Sequence, residues 1–296
     1  MIVTFLGTSS MVPTKERNHS SVLISYNEQG ILLDCGEGTQ RQLKFAGVKP
    51  GHISRILISH WHGDHVLGIP GLIQTLASSD YNKVLEIYGP KGTKERMKRM
   101  FEAFVFDKSI DFKIYEVDSG KFFENDLFRL EALKLEHGID TLAFRFVEKD
   151  RRRINVAMAK KLKIPEGPLL GKLQENKSII LKGKKISPKD VTYIVKGKSI
   201  AYVSDTLFCN NSIKIAKDAD LLICESTYSS KLKDKAKEYR HLTAREAAMI
   251  ANKANAKKLV LTHFSARYKN TLELEEDARN VFDDVICAED LMRLKV

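Results

Sequence analysis

RILISHWHGDHVLGIPG, residues 55–71, holds the densest chemistry in the chain. RILIS reads as a short buried strand, and apolar residues at helical spacing resume over 66–78. Between them stand His60, His62, Asp64 and His65, four ligand-type side chains within six residues. A turn at the carboxyl end of a strand can aim alternate side chains at one point, and imidazole nitrogens and carboxylate oxygens suit zinc. Gly63 is expected to let the backbone turn between His62 and Asp64. Histidines merely exposed on an ordinary turn are the bland alternative, and that leaves the ligand density without a reason.

Working outward, KLEHG places His137, YVSDT places Asp205 and VLTHF places His263 at the ends of strand-like runs. A single His or Asp at a strand end is more often a cap or a satisfied core group. Four such segments together are a different matter, because open α/β sheets gather ligands in the crevice beyond the carboxyl ends of their strands.

The surrounding pattern supports such a fold. Strands are expected at 1–6, 21–26, 31–35, 55–59 and 84–88, and again at 199–204, 220–224 and 257–262. Helices are expected near 39–46, 66–78, 93–104, 244–255 and 272–281. VLISY and ILLDC are joined by NEQG, whose Asn and Gly suit a hairpin, so part of the sheet should be antiparallel. This alternation reads as a layered α/β fold, taken as one domain over residues 1–296.

Charge is unevenly placed. The chain carries a net +11, and residues 149–185 hold twelve Lys or Arg against three acids, which is +9 and leaves +2 elsewhere. Such clustering suits either a solvated arm or a polyanionic partner. Two prolines and two glycines punctuate IPEGPLLGKL in the same stretch, so 149–183 is read as a basic insertion. Cys35, Cys209, Cys224 and Cys287 show no C-x-x-C spacing, which argues against a disulfide framework or a cysteine zinc knot. With no apolar run of about 20 residues and no signal-like N-terminus, a cytoplasmic location without membrane contact is expected.

Taken in order, the H-x-H-x-D-H motif, His137, Asp205 and His263 resemble the metallo-β-lactamase superfamily along nearly the whole chain. The resemblance implies a four-layer αββα sandwich and two zinc ions per subunit. One zinc would be held by His60, His62 and His137, the second by Asp64, His65 and His263, with Asp205 bridging both. Asp34, in LLDCGEG, matches an aspartate that braces the metal-binding loop; an N-cap for the following helix is its other reading.

Smaller motifs resemble the ribonuclease Z family within that superfamily. P-T-K-E-R-N at Pro13 to Asn18 is similar to its P-x-K-x-R-N loop, which implies substrate contact by Lys15, Arg17 and Asn18. H-L-T, His241 to Thr243, is similar to its proton-donor motif, with Thr243 either at substrate or capping a helix. C-E-S-T resembles its H-E-A-T or H-E-S-T loop, with Cys224 where the family often has His and Glu225 kept to orient His241. PEGPLLGKL resembles the motif of a protruding flexible arm, so Arg151, Arg152, Arg153, Lys160, Lys161, Lys163, Gly167 and Pro168 would hold RNA.

The implied activity is hydrolysis of a phosphodiester in precursor tRNA, leaving a 3′-hydroxyl on the tRNA and a 5′-phosphate on the trailer. Asp64 would orient the attacking water, and His241 would protonate the leaving oxygen. Homodimerisation is implied as well, and DNA is not an expected partner. Two alternatives stay open: a dinuclear zinc phosphodiesterase for small or cyclic phosphodiesters, and a non-catalytic RNA-binding protein with a vestigial metal site.

Overall fold

Many strands of this chain are apolar on both faces, and the computed structural model, describing residues 1–105 and 110–296, shows what covers each face. Strands β1 (Ile2–Gly7), β2 (Ser21–Tyr26), β3 (Gln29–Leu33), β4 (Ile53–Leu57), β5 (Leu85–Gly89), β6 (Phe112–Glu116) and the C-terminal β18 (Arg293–Lys295) form one seven-stranded sheet. A second sheet of seven contains β7 (Gly120–Glu124), β8 (Phe128–Lys134), β9 (Leu142–Glu148), β14 (Ser199–Val203), β15 (Leu221–Glu225), β16 (Leu259–Thr262) and β17 (Val285–Cys287).

Side chains alternate across a strand with period two. Leu6, Leu23, Leu32 and Ile56 therefore share one face of the first sheet. They pack under helices α1 (Thr39–Phe45), α3 (Ile69–Ala77) and α4 (Thr93–Glu102) through Leu43, Leu72, Leu76 and Met97. In the second sheet Ala201, Val203, Leu222, Leu259 and Leu261 do the same beneath α8 (Asn210–Ala216), α10 (Ala244–Lys253) and α11 (Leu272–Arg279). The intervening residues, Val3, Phe5, Ile24 and Ile31 on one sheet and Ile200, Tyr202 and Ile223 on the other, are also buried. These faces meet each other, as the Tyr26–Phe146 ring contact at 5.3 Å and the Tyr202–Asp34 hydrogen bond attest. The layers are thus helix, sheet, sheet, helix.

Details differ from the sequence reading for local reasons. The helix expected over 66–78 is two: α2 (Gly63–Val66) and α3, with Pro70 in the first turn of α3 where its missing N–H costs nothing. At the break, a side chain on Gly68 would strike the Gly36 carbonyl, so this turn packs directly on the D-C-G-E-G loop. In the hairpin, Tyr26 pairs with Gln29 across Asn27–Glu28, and Asn27 takes the left-handed conformation at φ 52°. Gly30 lies in β3 instead of the turn. Strand β8 stops at Lys134, three residues before His137, which leaves His137 on the loop to β9. No helix among the described residues is long and apolar enough to cross a membrane.

The chain divides into two compact units, the first being Met1–Phe123, Leu130–Phe146 and Ser199–Val296, the second Glu124–Arg129 and Val147–Lys198. The basic stretch 149–183 falls in the second. There β10 (Arg151–Ile154) pairs with β13 (Thr192–Val195), and β11 (Ile179–Leu181) with β12 (Lys184–Ile186). The second pair is joined by Lys182 and Gly183, both at positive φ, the geometry that matches strand twist in a two-residue hairpin. Helices α5 (Val156–Lys161), α6 (Pro168–Gln174) and α7 (Pro188–Val191) complete the unit around a small core of Ala159, Ile164, Leu173, Ile179, Ile186 and Val191. The Gly/Pro motif starts α6, with Gly167 at φ 125° and Pro168 at its first position. Helix α9 (Lys233–Glu238) belongs to the first unit.

Candidate metal centre

Strand ends deliver the ligand-type side chains. The segment after β4 supplies His60 and His62, and α2 supplies Asp64 and His65, with Gly63 serving as its ordinary first residue. Asp205 follows β14, and His263 follows β16 at φ 61°, a conformation that non-glycine residues adopt rarely. Together with His137 these form two adjoining clusters. One joins His60, His62, His137 and Asp205, the other Asp64, His65 and His263, with ligand atoms in each lying within 4.8 Å of one another. Asp205 spans both: Oδ2 lies 3.7 Å from His60 and from His137, while Oδ1 lies 3.6 Å from His65 and 3.4 Å from His263.

Hydrogen bonds behind the ligands decide which nitrogen faces inward. Asp34 accepts from the Ser59 backbone N–H (2.7 Å), the Ser59 hydroxyl (2.8 Å), Tyr202 OH (2.8 Å) and His65 Nδ1 (2.8 Å). The His65 Nε2 lone pair therefore points into the site. Ser59 has given its one proton to Asp34, so it accepts from His60 Nδ1 at 3.0 Å. Thr227 likewise donates to Glu225 (2.7 Å) and accepts from His263 Nδ1 (2.9 Å), while His137 Nδ1 donates to the Arg240 carbonyl (2.9 Å). Each bond fixes a tautomer in the way that outer partners orient metal-binding imidazoles.

These bonds leave imidazole nitrogens facing one another at 3.0 Å (His60 Nε2 to His62 Nδ1), 3.2 Å (His137 Nε2 to His62 Nδ1) and 3.3 Å (His65 Nε2 to His263 Nε2). Asp64 Oδ1 is buried with no hydrogen-bond partner among the described residues. Convergent imidazole nitrogens and an orphaned carboxylate oxygen suit a cation bound among them. The residues therefore fit a divalent metal of the zinc type.

Electrostatics carry the same message. Burial works against a charged His65, yet Asp205, Asp34 and Asp64 raise its pKa well above the usual value. Burial likewise opposes ionisation of Asp205, but His263, His65 and His60 hold its carboxyl well below the carboxylate range. Burial, with the neighbouring imidazoles His65 and His137 respectively, instead holds His60 and His62 below the usual value, which keeps them neutral and able to ligate.

Beside this centre, burial is again opposed as Glu225 and then Asp205 raise the pKa of His241 to about 9. Glu225 Oε1 takes His241 Nδ1 at 3.1 Å, and it also accepts from the Thr206 and Leu242 backbone N–H groups, each at 3.0 Å. Cys224 alternates to the other face of β15, inside the helix-side core, where burial followed by Glu225 pushes its thiol far up. It stays a neutral packing group. His62, Asp64, His137, Asp205 and His263 line a cavity of about 330 Å³, whose other walls include Met11, Val12, Tyr228, Tyr239 and His241.

Other residues singled out from sequence lie elsewhere. Lys15 is exposed, and Arg17 is buried with its guanidinium donating to the Tyr268 carbonyl. The Asn18 backbone N–H donates to Asp290 at 2.7 Å and its side chain to the Glu37 carbonyl at 2.7 Å. Thr243 is buried and caps α10, accepting from the Glu246 N–H at 3.2 Å. None of these four lines the metal cavity. In the second unit Arg151, Arg153, Lys160, Lys161, Lys163, Gly167 and Pro168 are exposed, and Arg152 donates to Thr192 at 3.2 Å. Sequence reasoning did not find Ser59, Tyr202 or Thr227, because a hydroxyl's part depends on which partner takes its single proton.

Comparison with known proteins adds to this geometry. A family model described as anti-Pycsar protein Apyc1 matches residues 1–142. Over 297 aligned residues the chain is 42% identical to ribonuclease Z of Methanothermobacter thermautotrophicus, covering 100% of this chain and 97% of that protein. The crystal structure of human tRNase Z, short form, superposes with a TM-score of 0.74 at 29% identity, covering 100% of this chain and 99% of the other. The metallo-β-lactamase fold protein YhfI from Bacillus subtilis shares the architecture, with a TM-score of 0.72 at 20% identity over 99% of this chain and 98% of its own. The four layers are accordingly a metallo-β-lactamase fold, and the chain belongs to the ribonuclease Z family.

Proposed function

We propose that the chain is a zinc-dependent endoribonuclease that removes the 3′ trailer of precursor tRNA, leaving a 3′-hydroxyl on the tRNA and a 5′-phosphate on the trailer. The observation that carries this reading is the pair of His/Asp clusters with the His241–Glu225 pair beside them, in a ribonuclease Z chain. His60, His62 and His137 would hold one zinc and Asp64, His65 and His263 the other, with Asp205 between them. Bound zinc supplies Lewis acidity toward a phosphate oxygen and makes water acidic enough to deprotonate near neutrality.

The chain's own groups supply the rest. Asp64 would accept a hydrogen bond from the attacking water and orient it while still serving as a metal ligand. Glu225 fixes the proton on His241 Nδ1, so the proton given to the leaving 3′ oxygen comes from Nε2. Asp34 touches no substrate: its four accepted bonds hold Ser59 and His65 in place. Incubation with a 3′-extended precursor tRNA and mapping of both product ends tests the activity, and the expected cut lies just after the discriminator nucleotide. No cleavage, or products with a 3′-phosphate, would overturn it.

Reading 149–183 as a tRNA-gripping arm rests on its charge and on the exposure of most of its Arg and Lys side chains. The combined substitution Arg153→Ala, Lys160→Ala, Lys161→Ala and Lys163→Ala is expected to weaken precursor binding at least tenfold. It should also flatten the salt dependence, by roughly 0.7–0.9 in log–log slope for each phosphate no longer neutralised. Hydrolysis of a small aryl phosphodiester should be unchanged. Equal loss on both substrates would speak against an RNA-gripping arm. Homodimerisation, with one subunit's arm holding tRNA that the other cleaves, and a cytoplasmic location belong to the same reading by family resemblance.

A further inference from the structure

Sequence assigns the basic residues of the loop between β1 and β2 to substrate, yet Arg17 turns inward and the loop offers the metal cavity something else. Met11 and Val12 line that cavity and are 62% and 57% exposed, two apolar side chains beside a floor of metal-ligand groups. Their placement is rigid. The Ser9 hydroxyl donates to the Val12 carbonyl at 2.7 Å, and His19 Nε2 donates to the Met11 carbonyl at 3.1 Å. Ser9 N–H donates to the Asn18 carbonyl (2.9 Å), Ser10 N–H to the Phe264 carbonyl (3.1 Å) and Thr14 N–H to the Arg17 carbonyl (2.8 Å). Asp290 clamps both ends of the loop, accepting from the Thr8 hydroxyl (2.8 Å) and the Asn18 N–H (2.7 Å).

Another wall of the same cavity carries Tyr239, which is 52% exposed, and Tyr228, whose ring centroid lies 6.2 Å from that of His241. Three exposed side chains, Met11, Val12 and Tyr239, beside the two His/Asp clusters are out of place if only a phosphate enters. A nucleobase drawn out of its stack presents two apolar faces, and single-stranded RNA is held by such side chains because every base has a π-face.

We infer that Met11 and Val12 form a fixed apolar ledge which, with Tyr239, holds one unstacked nucleobase flanking the scissile phosphate. The inference rests on the precursor-tRNA reading above. It assigns to the ledge a positioning role that is independent of base identity, because no base-edge partner is involved.

The test uses the full chain loaded with metal and three matched precursors: one natural, one abasic on the 5′ side of the scissile bond, one abasic on the 3′ side. Stacking on an aromatic or apolar side chain is worth about tenfold per base. Wild type is therefore expected to lose about tenfold in kcat/KM on at least one abasic precursor. The double substitution Met11→Ser/Val12→Ser and the single substitution Tyr239→Ala should keep their metal and lose this preference, cleaving natural and abasic substrates at similar rates. Equal wild-type rates on all three precursors would overturn the inference, as would variants that keep the preference undiminished. Failure of wild type to cleave even the natural precursor would instead remove the activity on which the inference stands. Metal content and circular dichroism of each variant separate loss of the ledge from loss of the fold.

Discussion

Replacing His241 by alanine is expected to slow single-turnover precursor cleavage roughly 10²–10⁴-fold, the usual contribution of one general acid, while both metal clusters load as before. His241 is hydrogen-bonded to Glu225 and lies within ligand distance of Asp205 and His263 in a third group, but neither of the two clusters described above includes it. Metal analysis and rate should therefore part company. A general acid serves only while protonated, so activity is lost as pH rises through its pKa. Burial opposes that proton, but Glu225 and Asp205 together raise the pKa to about 9. Cations on the neighbouring Asp205 act in the opposite sense, which places the alkaline limb at or below that value. The limb should vanish in His241→Ala. A near-normal single-turnover rate with an unchanged pH profile would remove the residue from the acid's role.

The second large effect is expected at Asp205, where alanine should cost metal and with it essentially all turnover. Its two oxygens lie within 3.7 Å of nitrogens from both clusters, so a single substitution strips a shared ligand from each. Several imidazoles would also be left around a site without its central negative charge. The measurement is metal per chain after extensive dialysis, expected to fall well below that of wild type. Retention of the full complement by Asp205→Ala would sink the bridging assignment. The contrast with His241→Ala is diagnostic: one variant loses its metal, and the other loses its rate with the metal in place.

Much of the site was legible because its core is local. His60 to His65 follow one strand, and α2 adds Asp64 and His65 with no contribution from distant sequence. The layered α/β character was also legible, since strand-like and helical patterns follow one another along the chain. Boundaries fared less well. The 66–78 pattern hid a break at Gly68, because apolar spacing does not register a glycine pressed against the Gly36 carbonyl.

The loop at residues 13–18 shows a deeper limit. The family resemblance implies substrate contact by Arg17, but only three dimensions show its guanidinium engaged with the Tyr268 carbonyl and Met11–Val12 facing the cavity. Thr227 and Ser59 were unreadable for a related reason. Each acts as an acceptor for a histidine only because its proton has already gone to Glu225 or Asp34.

The order of the ligands along the chain bears on how the protein is made. His65 and His263 face each other across 198 residues of chain. At ribosomal speeds that separation is about 10–40 s of synthesis. During that interval the His60–His65 segment can exist outside the ribosome with most of its partners not yet translated. The four early side chains make up only part of the two clusters. Asp205 and His263 arrive only with the second sheet, so both clusters are complete only in the finished protein.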